Sequence, residues 1–209
     1  FAGCTEAISE VGGFSATLRN GKRLYLVETS EKGMYWMELT AEGTAGHGSM
    51  VNSNNAVTEI ANAVARIGNH KWPVRITATL RTFLTKVAST LGKEFDEKNP
   101  GPIVAELGSM ARMIGATTQN TANPTMLNAG YKENVIPQHA KAVIDGRFLP
   151  GFEEEFIATI RELAGPNVKV SPIIHDIALE NSFSGELVEA MCLAIKECDP
   201  EGIPVPYVM

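Results

Sequence analysis

Pro124-Thr-Met-Leu-Asn-Ala-Gly-Tyr-Lys-Glu-Asn-Val-Ile-Pro-Gln-His-Ala-Lys-Ala-Val-Ile-Asp-Gly-Arg-Phe-Leu-Pro150 is the stretch whose reading decides the fold. Two apolar runs, 125–127 and 140–144, bracket a polar segment that ends in Pro137. That pattern predicts two strands joined by an irregular turn. Asn134 falls at the turn and Arg147 at the far end of the second strand. An amide and a guanidinium brought together at strand ends would grip a small anionic ligand.

Upstream, residues 34–40 alternate large and polar side chains, as a half-buried strand does. A small-residue loop follows over 41–49. Asn54 or Asn55 is placed to cap a helix carrying Ala56, Ile60, Ala63, Val64 and Ile67, with Gly68 as its stop. Residues 74–91 read as a further helix, 93–102 as a charged loop and 103–114 as a short helix. Downstream, Gly151 precedes an amphipathic helix with Phe156, Ile157, Ile160 and Leu163, ended by Gly165-Pro166, and 168–170 is a strand.

The order from residue 34 to 170 is thus β-α-β-β-α-β with a helical insert. This predicts an α/β chain of the α+β two-layer sandwich kind, helices on one face of an antiparallel sheet. The flanks read separately. Strands 16–18 and 24–27 form a hairpin about a two-residue Asn20-Gly21 turn. Residues 173–183 are irregular, 185–198 a helix and 205–209 a strand. The expected division is 1–32 and 172–209 as parts of one domain, with 33–171 inserted into it.

A chain of 209 residues at 44% hydrophobic builds an ordinary core. Its net charge of -6 argues against nucleic acid and anionic membrane as partners. No apolar run approaches the ~20 residues of a membrane span. Three cysteines without a C-x-x-C spacing point to a reducing, cytoplasmic setting. The chain opens on Phe1 and stops at Met209 straight after an apolar run, so it is expected to be a piece of a longer protein.

Four residues are candidates for chemistry. His47 stands between two glycines and before Ser49, as an oxyanion donor, a metal ligand or a solvated loop histidine. Arg147 is a carboxylate clamp or the partner of Asp145 or Glu153. Asn134 caps its own turn or turns its amide to a ligand. Glu10, before Gly12-Gly13, is an oxygen ligand for a divalent metal or an exposed glutamate. His70, His139 and His175 have no metal spacing, Glu153-Glu-Glu155 is a solvated helix start, and Met110, Met113 and Met191 are core.

Taken together, Gly46-His-Gly-Ser49, Asn54-Asn-Ala56, Asn128-Ala-Gly-Tyr-Lys-Glu-Asn-Val-Ile-Pro137 and Ile144-Asp-Gly-Arg-Phe-Leu-Pro-Gly151 resemble a known family. It is that of the di-zinc hydrolases that include aminoacylase, acetylornithine deacetylase, succinyl-diaminopimelate desuccinylase and glutamate carboxypeptidase. The resemblance implies a lid, or dimerisation, domain at 33–171, inserted in a zinc-binding catalytic domain. It implies that His47 stabilises a tetrahedral intermediate, typically in the partner subunit's site, and that Asn134 and Arg147 line the substrate site. It puts an acidic metal ligand at Glu10, where Ser9-Glu-Val-Gly-Gly13 departs from the Asn-Glu-Gly-Gly-Gly of many relatives.

The remaining metal ligands and the general base are expected outside these residues. The implied whole is a zinc-dependent hydrolase of an amide or peptide bond in an N-acyl amino acid or small peptide. It would carry two zinc ions, with cobalt or manganese as alternatives, and form a homodimer through the lid. The 209 residues alone are expected to be inactive. The competing reading is a non-catalytic dimerisation or ligand-binding module of the same fold.

Overall fold

The computed structural model describes residues 3–9 and 13–209. In chain order its strands are β1 (Ser15–Thr17), β2 (Arg23–Glu31), β3 (Gly33–Glu42), β4 (Gly46–His47), β5 (Thr121–Ala129), β6 (Val135–Ile136), β7 (His139–Phe148), β8 (Val168–Asp176), β9 (Leu179–Glu180) and β10 (Ile203–Val208). Its helices are α1 (Ala56–Asn69), α2 (Ala78–Thr90), α3 (Gly101–Ala105), α4 (Ala111–Ala116), α5 (Glu153–Ala164) and α6 (Glu186–Cys198). Two compact units result. One, the inserted unit, is Gly33–Pro73 with Asn120–Ala178; the other, the flanking unit, takes the described residues through Lys32, then Val74–Gln119 and Leu179–Met209.

This division differs from the one expected. Residues 74–119, counted above inside the insertion, pack with the flanks. The apolar face of α2 (Leu80, Phe83, Leu84, Val87) finds its partners in Leu24, Leu26, Val205 and Tyr207 of β2 and β10, and all share one core. Moreover β8 runs on to Asp176 where 173–183 was read as irregular.

The inserted unit has the expected two layers. Its sheet has the order β5-β7-β3-β8, antiparallel throughout. On β3 the residues Tyr35, Met37, Leu39 and Ala41 are buried while those between them are half-buried. The buried set faces α1 and α5 through Ile60, Ala63, Ile67, Phe156 and Ile160. Asn55 caps α1, its side-chain oxygen accepting from the N–H of Val57 at 2.9 Å and of Thr58 at 3.3 Å. Gly68 does not stop the helix, which runs to Asn69. The glycine lies against Pro124, and a Cβ there would meet that ring at 3.4 Å, an ordinary van der Waals contact.

Gly146, between Asp145 and Arg147, sits on the helix-covered face of β7. A Cβ there would lie 2.6 Å from the Tyr35 carbonyl oxygen and 2.7 Å from the Phe156 ring. Backbone cannot give way as a side-chain tip can. Gly146→Ala is therefore expected to cost about 3 kcal/mol of stability, the upper part of the overpacking range, as read from the midpoint of a urea transition.

In the flanking unit the β1–β2 hairpin closes differently from the expected two-residue turn. Leu18 N–H donates to Lys22 O at 2.8 Å and Gly21 N–H to Leu18 O at 2.9 Å. Among the described residues only glycines take a positive φ, Gly21 at +81°. The loop is thus the three residues Arg19, Asn20 and Gly21, a turn with a glycine bulge, because Asn20 keeps a negative φ. The helix expected over 103–114 is broken into α3, a 3-10 turn (Gly108–Met110) and α4, with Gly108 at φ +59°. Met113 is 38% exposed rather than core. Met110 and Met191 are half-buried.

Glu28 on β2 lines a cleft of about 910 Å³ together with Leu26, Met191 and Ile195. Burial pushes its carboxyl above the ordinary glutamate value, and Glu31 adds to the shift. Its Oε2 is buried with no partner among the described residues. The folded chain therefore holds this proton more tightly than the unfolded chain. Stability falls as pH rises from the ordinary value through the raised one, and the deficit is complete above it. Glu28→Gln is expected to raise the melting temperature near neutral pH and to leave it nearly unchanged below about pH 4, as followed by thermal melts at both.

Candidate functional site

His47 is not in a free loop. Gly46 and His47 form β4, paired antiparallel with Ile136 and Val135 of β6. Gly48 N–H extends the ribbon by donating to Asn134 O at 2.8 Å. A Cβ on Gly48 would lie 3.4 Å from the Asn134 backbone, an ordinary contact, so the two loops pack closely at this point. The loop is held to the rest of its unit by Gly43 N–H to Gln138 O at 2.8 Å, Thr44 N–H to Asn54 O at 2.9 Å and the Asn52 amide to Thr44 O at 2.7 Å.

The ribbon brings His47 and Asn134, 87 positions apart, to 3.4 Å between the side-chain amide and Nε2. On the other side of the ring, Ser49 N–H donates to Nδ1 at 3.3 Å and the Ser49 hydroxyl lies 2.8 Å from it. The two ends of the ring are coupled: Nδ1 accepting from the Ser49 N–H goes with a proton on Nε2, whereas Nε2 accepting from the Asn134 amide goes with a proton on Nδ1, donated to the Ser49 hydroxyl. Both His47 and Asn134 are exposed. The pair therefore presents an imidazole nitrogen and a side-chain amide outward, polar groups that suit an oxygen of a ligand.

Arg147 is elsewhere. On the sheet it stands opposite Met34 and Thr121, whereas the opposite end of β7 pairs His139 with Glu42, close to the ribbon. From Ala140 to Arg147 the strand advances roughly 23 Å. The expectation that amide and guanidinium meet in one chain is thus corrected: the second strand is too long. The guanidinium is already held by Asp145, Nε to Oδ1 at 2.7 Å and Nη2 to Oδ2 at 3.3 Å, and lies over the Trp36 ring at 5.9 Å. Of the two sequence alternatives for its partner, Asp145 is the one realised. Glu153 pairs instead with His175, Oε1 to Nε2 at 2.7 Å.

Glu10 lies outside the described residues. Among the described residues no group of three or more histidine, cysteine or carboxylate side chains could hold a metal ion. The described residues therefore do not form a metal centre by themselves. The three cysteines Cys4, Cys192 and Cys198 are free. Among the described residues no helix is long and apolar enough to cross a membrane.

The sequence missed β4 and β6, two residues each, because strands that short leave no periodicity. A usable signal was present in the two glycines around His47 and the Val-Ile before Pro137, which is pairing chemistry next to a turn.

Comparison with known proteins agrees with this picture. Residues 29–170 match the model of the peptidase dimerisation domain of the M20 peptidases. "Probable carboxypeptidase S-like 2" of Dictyostelium discoideum is 28% identical over 197 residues, covering 90% of this chain and 38% of that protein. The human "N-fatty-acyl-amino acid synthase/hydrolase PM20D1" is 28% identical over 136 residues, 62% of this chain and 27% of that one. The chain thus spans well under half the length of these curated relatives. Among solved structures, the M20 family metallo-carboxypeptidase Sso-CP2 of Sulfolobus solfataricus superposes with a TM-score of 0.58 at 17% identity, over 90% of this chain and 54% of that one. The dipeptidase Dug1p of Saccharomyces cerevisiae does so with 0.54 at 14% identity, over 93% and 45%. The structural likeness carries the fold, and the match over residues 29–170 carries the family: this chain belongs to the M20 peptidase dimerisation-domain family.

Proposed function

We propose that the chain is the dimerisation-bearing part of a zinc-dependent hydrolase that cleaves the amide bond of an N-acyl amino acid or small peptide. The observation that carries this reading is the outward-facing His47–Asn134 pair, 3.4 Å apart at the ribbon, in a chain of a peptidase family. The inserted unit is the lid; the flanking unit belongs to the catalytic domain. The metal supplies an activated water when bound, and its ligands, Glu10 apart, lie outside these residues. The name of the human relative favours N-acyl amino acids over dipeptides. Cytoplasmic residence remains part of the proposal, on the three free cysteines.

The chain's own residues act by position. His47 donates its Nε2–H to the oxygen on which negative charge develops as the amide carbonyl becomes tetrahedral. Asn134 orients that oxygen or the adjoining amide. Arg147, offset from Asp145 by one exchange of partners, takes the substrate carboxylate in a two-pronged hydrogen bond.

Arg147 lies roughly 23 Å along β7 from the ribbon end of that strand, further than one small substrate spans, so two chains build one site. The two sheet edges differ in fitness for pairing. β8 carries Lys169, Pro172 and Asp176, with a bulge between its partners Trp36 and Met37, all of which discourage an added strand. β5 has no charged residue; its one proline, Pro124, falls at the irregularity of 124–126, and beyond it Met126 and Leu127 are 57% and 54% exposed, which leaves 126–129 as the free pairing edge. Antiparallel pairing of β5 with β5 of a second copy is isologous and gives a continuous eight-stranded sheet. It also turns the ribbon end of one copy toward the Arg147 end of the other.

The test is turnover. The full-length protein loaded with zinc should hydrolyse N-acyl amino acids, and the 209 residues alone should not. Hydrolysis by the isolated chain would refute the split of the site. A non-catalytic module has one observation in its favour, the Arg147 guanidinium already engaged by Asp145. Absence of any amide hydrolysis by the zinc-loaded full-length protein would decide for it.

A further inference from the structure

Arg147 reaches a substrate only by letting go of Asp145, whose two oxygens accept from its Nε and Nη2. The exchange leaves a half-buried carboxylate without its cation, which is costly unless another donor is at hand. The neighbouring strand carries one. Alternation along β3 and β7 puts Trp36, Asp145 and Arg147 on the face of the sheet that α1 and α5 leave open, because Tyr35 and Gly146 beside them face the helices. Trp36 stands opposite Asp145 in the β3–β7 ladder and opposite Ile174 on β8.

Two observations set Trp36 apart. The Arg147 guanidinium lies over its ring, 5.9 Å from Cζ to the centroid, at the outer limit of a cation–π contact. Its indole Nε1–H is buried and has no hydrogen-bond partner among the described residues. A buried indole N–H ordinarily has a partner, and a bare one carries its whole desolvation cost. Directly opposite side chains on antiparallel strands have Cβ atoms about 4.5–5.5 Å apart, a gap that a carboxylate and an indole N–H close by side-chain rotation. Asn123, opposite Asp145 on β5, is exposed, so its amide meets solvent and gains little from a new partner. The Trp36 N–H exchanges no partner at all for a charge-assisted hydrogen bond.

We propose that Trp36 is a positioning residue for Arg147: its indole N–H receives the Asp145 carboxylate when the guanidinium turns to the carboxylate of a substrate. The ring keeps the guanidinium beside it through the exchange. The donor left bare in the free protein is thus satisfied in the bound one, which offsets part of the cost of parting Asp145 from Arg147. The proposal rests on the reading of Arg147 above and adds what lets it change partners.

The test uses the zinc-loaded full-length protein with N-hexanoyl-leucine and its C-terminal amide as probes. Affinities are read by calorimetry, kcat and KM for the acid by turnover, and Trp36 emission as the difference between wild type and Trp36→Phe. That variant keeps an aromatic ring and removes the N–H. It is expected to bind the acid roughly tenfold more weakly, as for loss of one hydrogen bond to a charged group, with KM raised to match. Its kcat and its affinity for the amide should stay within about twofold. Adding the acid should shift the Trp36 emission. In an Asp145→Asn background, where no carboxylate is left to receive, Trp36→Phe should have no further effect.

Equal losses for acid and amide would mean that the indole only packs, and overturn the proposal. So would a loss that persists undiminished in the Asp145→Asn background, or an emission that ignores the acid. If Arg147→Ala abolishes the preference for acid over amide while Trp36→Phe keeps it, the reading of Arg147 stands and the role of Trp36 falls. A wild type that does not bind the acid, or an Arg147→Ala variant that keeps the preference, removes the reading of Arg147 and this proposal with it.

Discussion

Replacing His47 by alanine in the full-length protein is expected to lower kcat by about 10² to 10³-fold with KM within about twofold. The expectation comes from what the ring does when no substrate is present. Ser49 engages Nδ1 from one side, so the ring is held in place without any ligand, and offering Nε2–H to an oxyanion costs little reorganisation. A neutral carbonyl gains modestly from such a donor, whereas an oxyanion gains much more. The loss therefore falls on the transition state, and kcat records it. A variant whose KM rises while kcat holds would show that His47 only binds substrate. Ser49→Ala refines the point. It removes the hydroxyl near Nδ1 but leaves the backbone N–H, and should lower kcat by a small factor, under about tenfold.

The second large effect concerns which chain supplies which residue. His47→Ala and Arg147→Ala proteins, each nearly inactive, are expected to recover about a quarter of wild-type activity when mixed and allowed to exchange subunits. Half of the dimers are then mixed, and each mixed dimer holds one site with both residues intact. The geometry behind this is the roughly 23 Å of β7 between the two ends of the sheet, too far for one small substrate. Without recovery, but with exchange shown by sedimentation or labelled subunits, the two residues would serve the same chain's site and the shared-site reading would fall. Leu127→Lys checks the same interface from its edge. A charge on the exposed half of β5 should drive the dimer to monomers, and activity should fall with it.

Much of the inserted unit was legible before its structure. The alternation over 34–40, the spacing of Ile60, Ala63 and Ile67 and the apolar run before Arg147 each have one period, and each became the element read from it. Asn55 announced its helix because a side-chain amide before an apolar repeat is a cap. What could not be read was where α2 packs. Its apolar face fits any apolar surface, and only the assembled β2–β10 sheet selects one. Gly68 and Asn20-Gly21 were misread for a related reason. A glycine's local preferences are weak, so the run of the helix on to Asn69 and the hydrogen bonding of Leu18 with Lys22 settled how each segment ends.

The candidate residues divide along the same line. The sequence by itself determined the residue types and the two-layer order of elements, because these rest on local periodicity. Only the tertiary structure decided that His47 and Asn134 are neighbours and that Arg147 is not. Two-residue strands have no pattern to read, and the distance between strand ends depends on how far the β7 ladder runs against β3 and β5 before it ends.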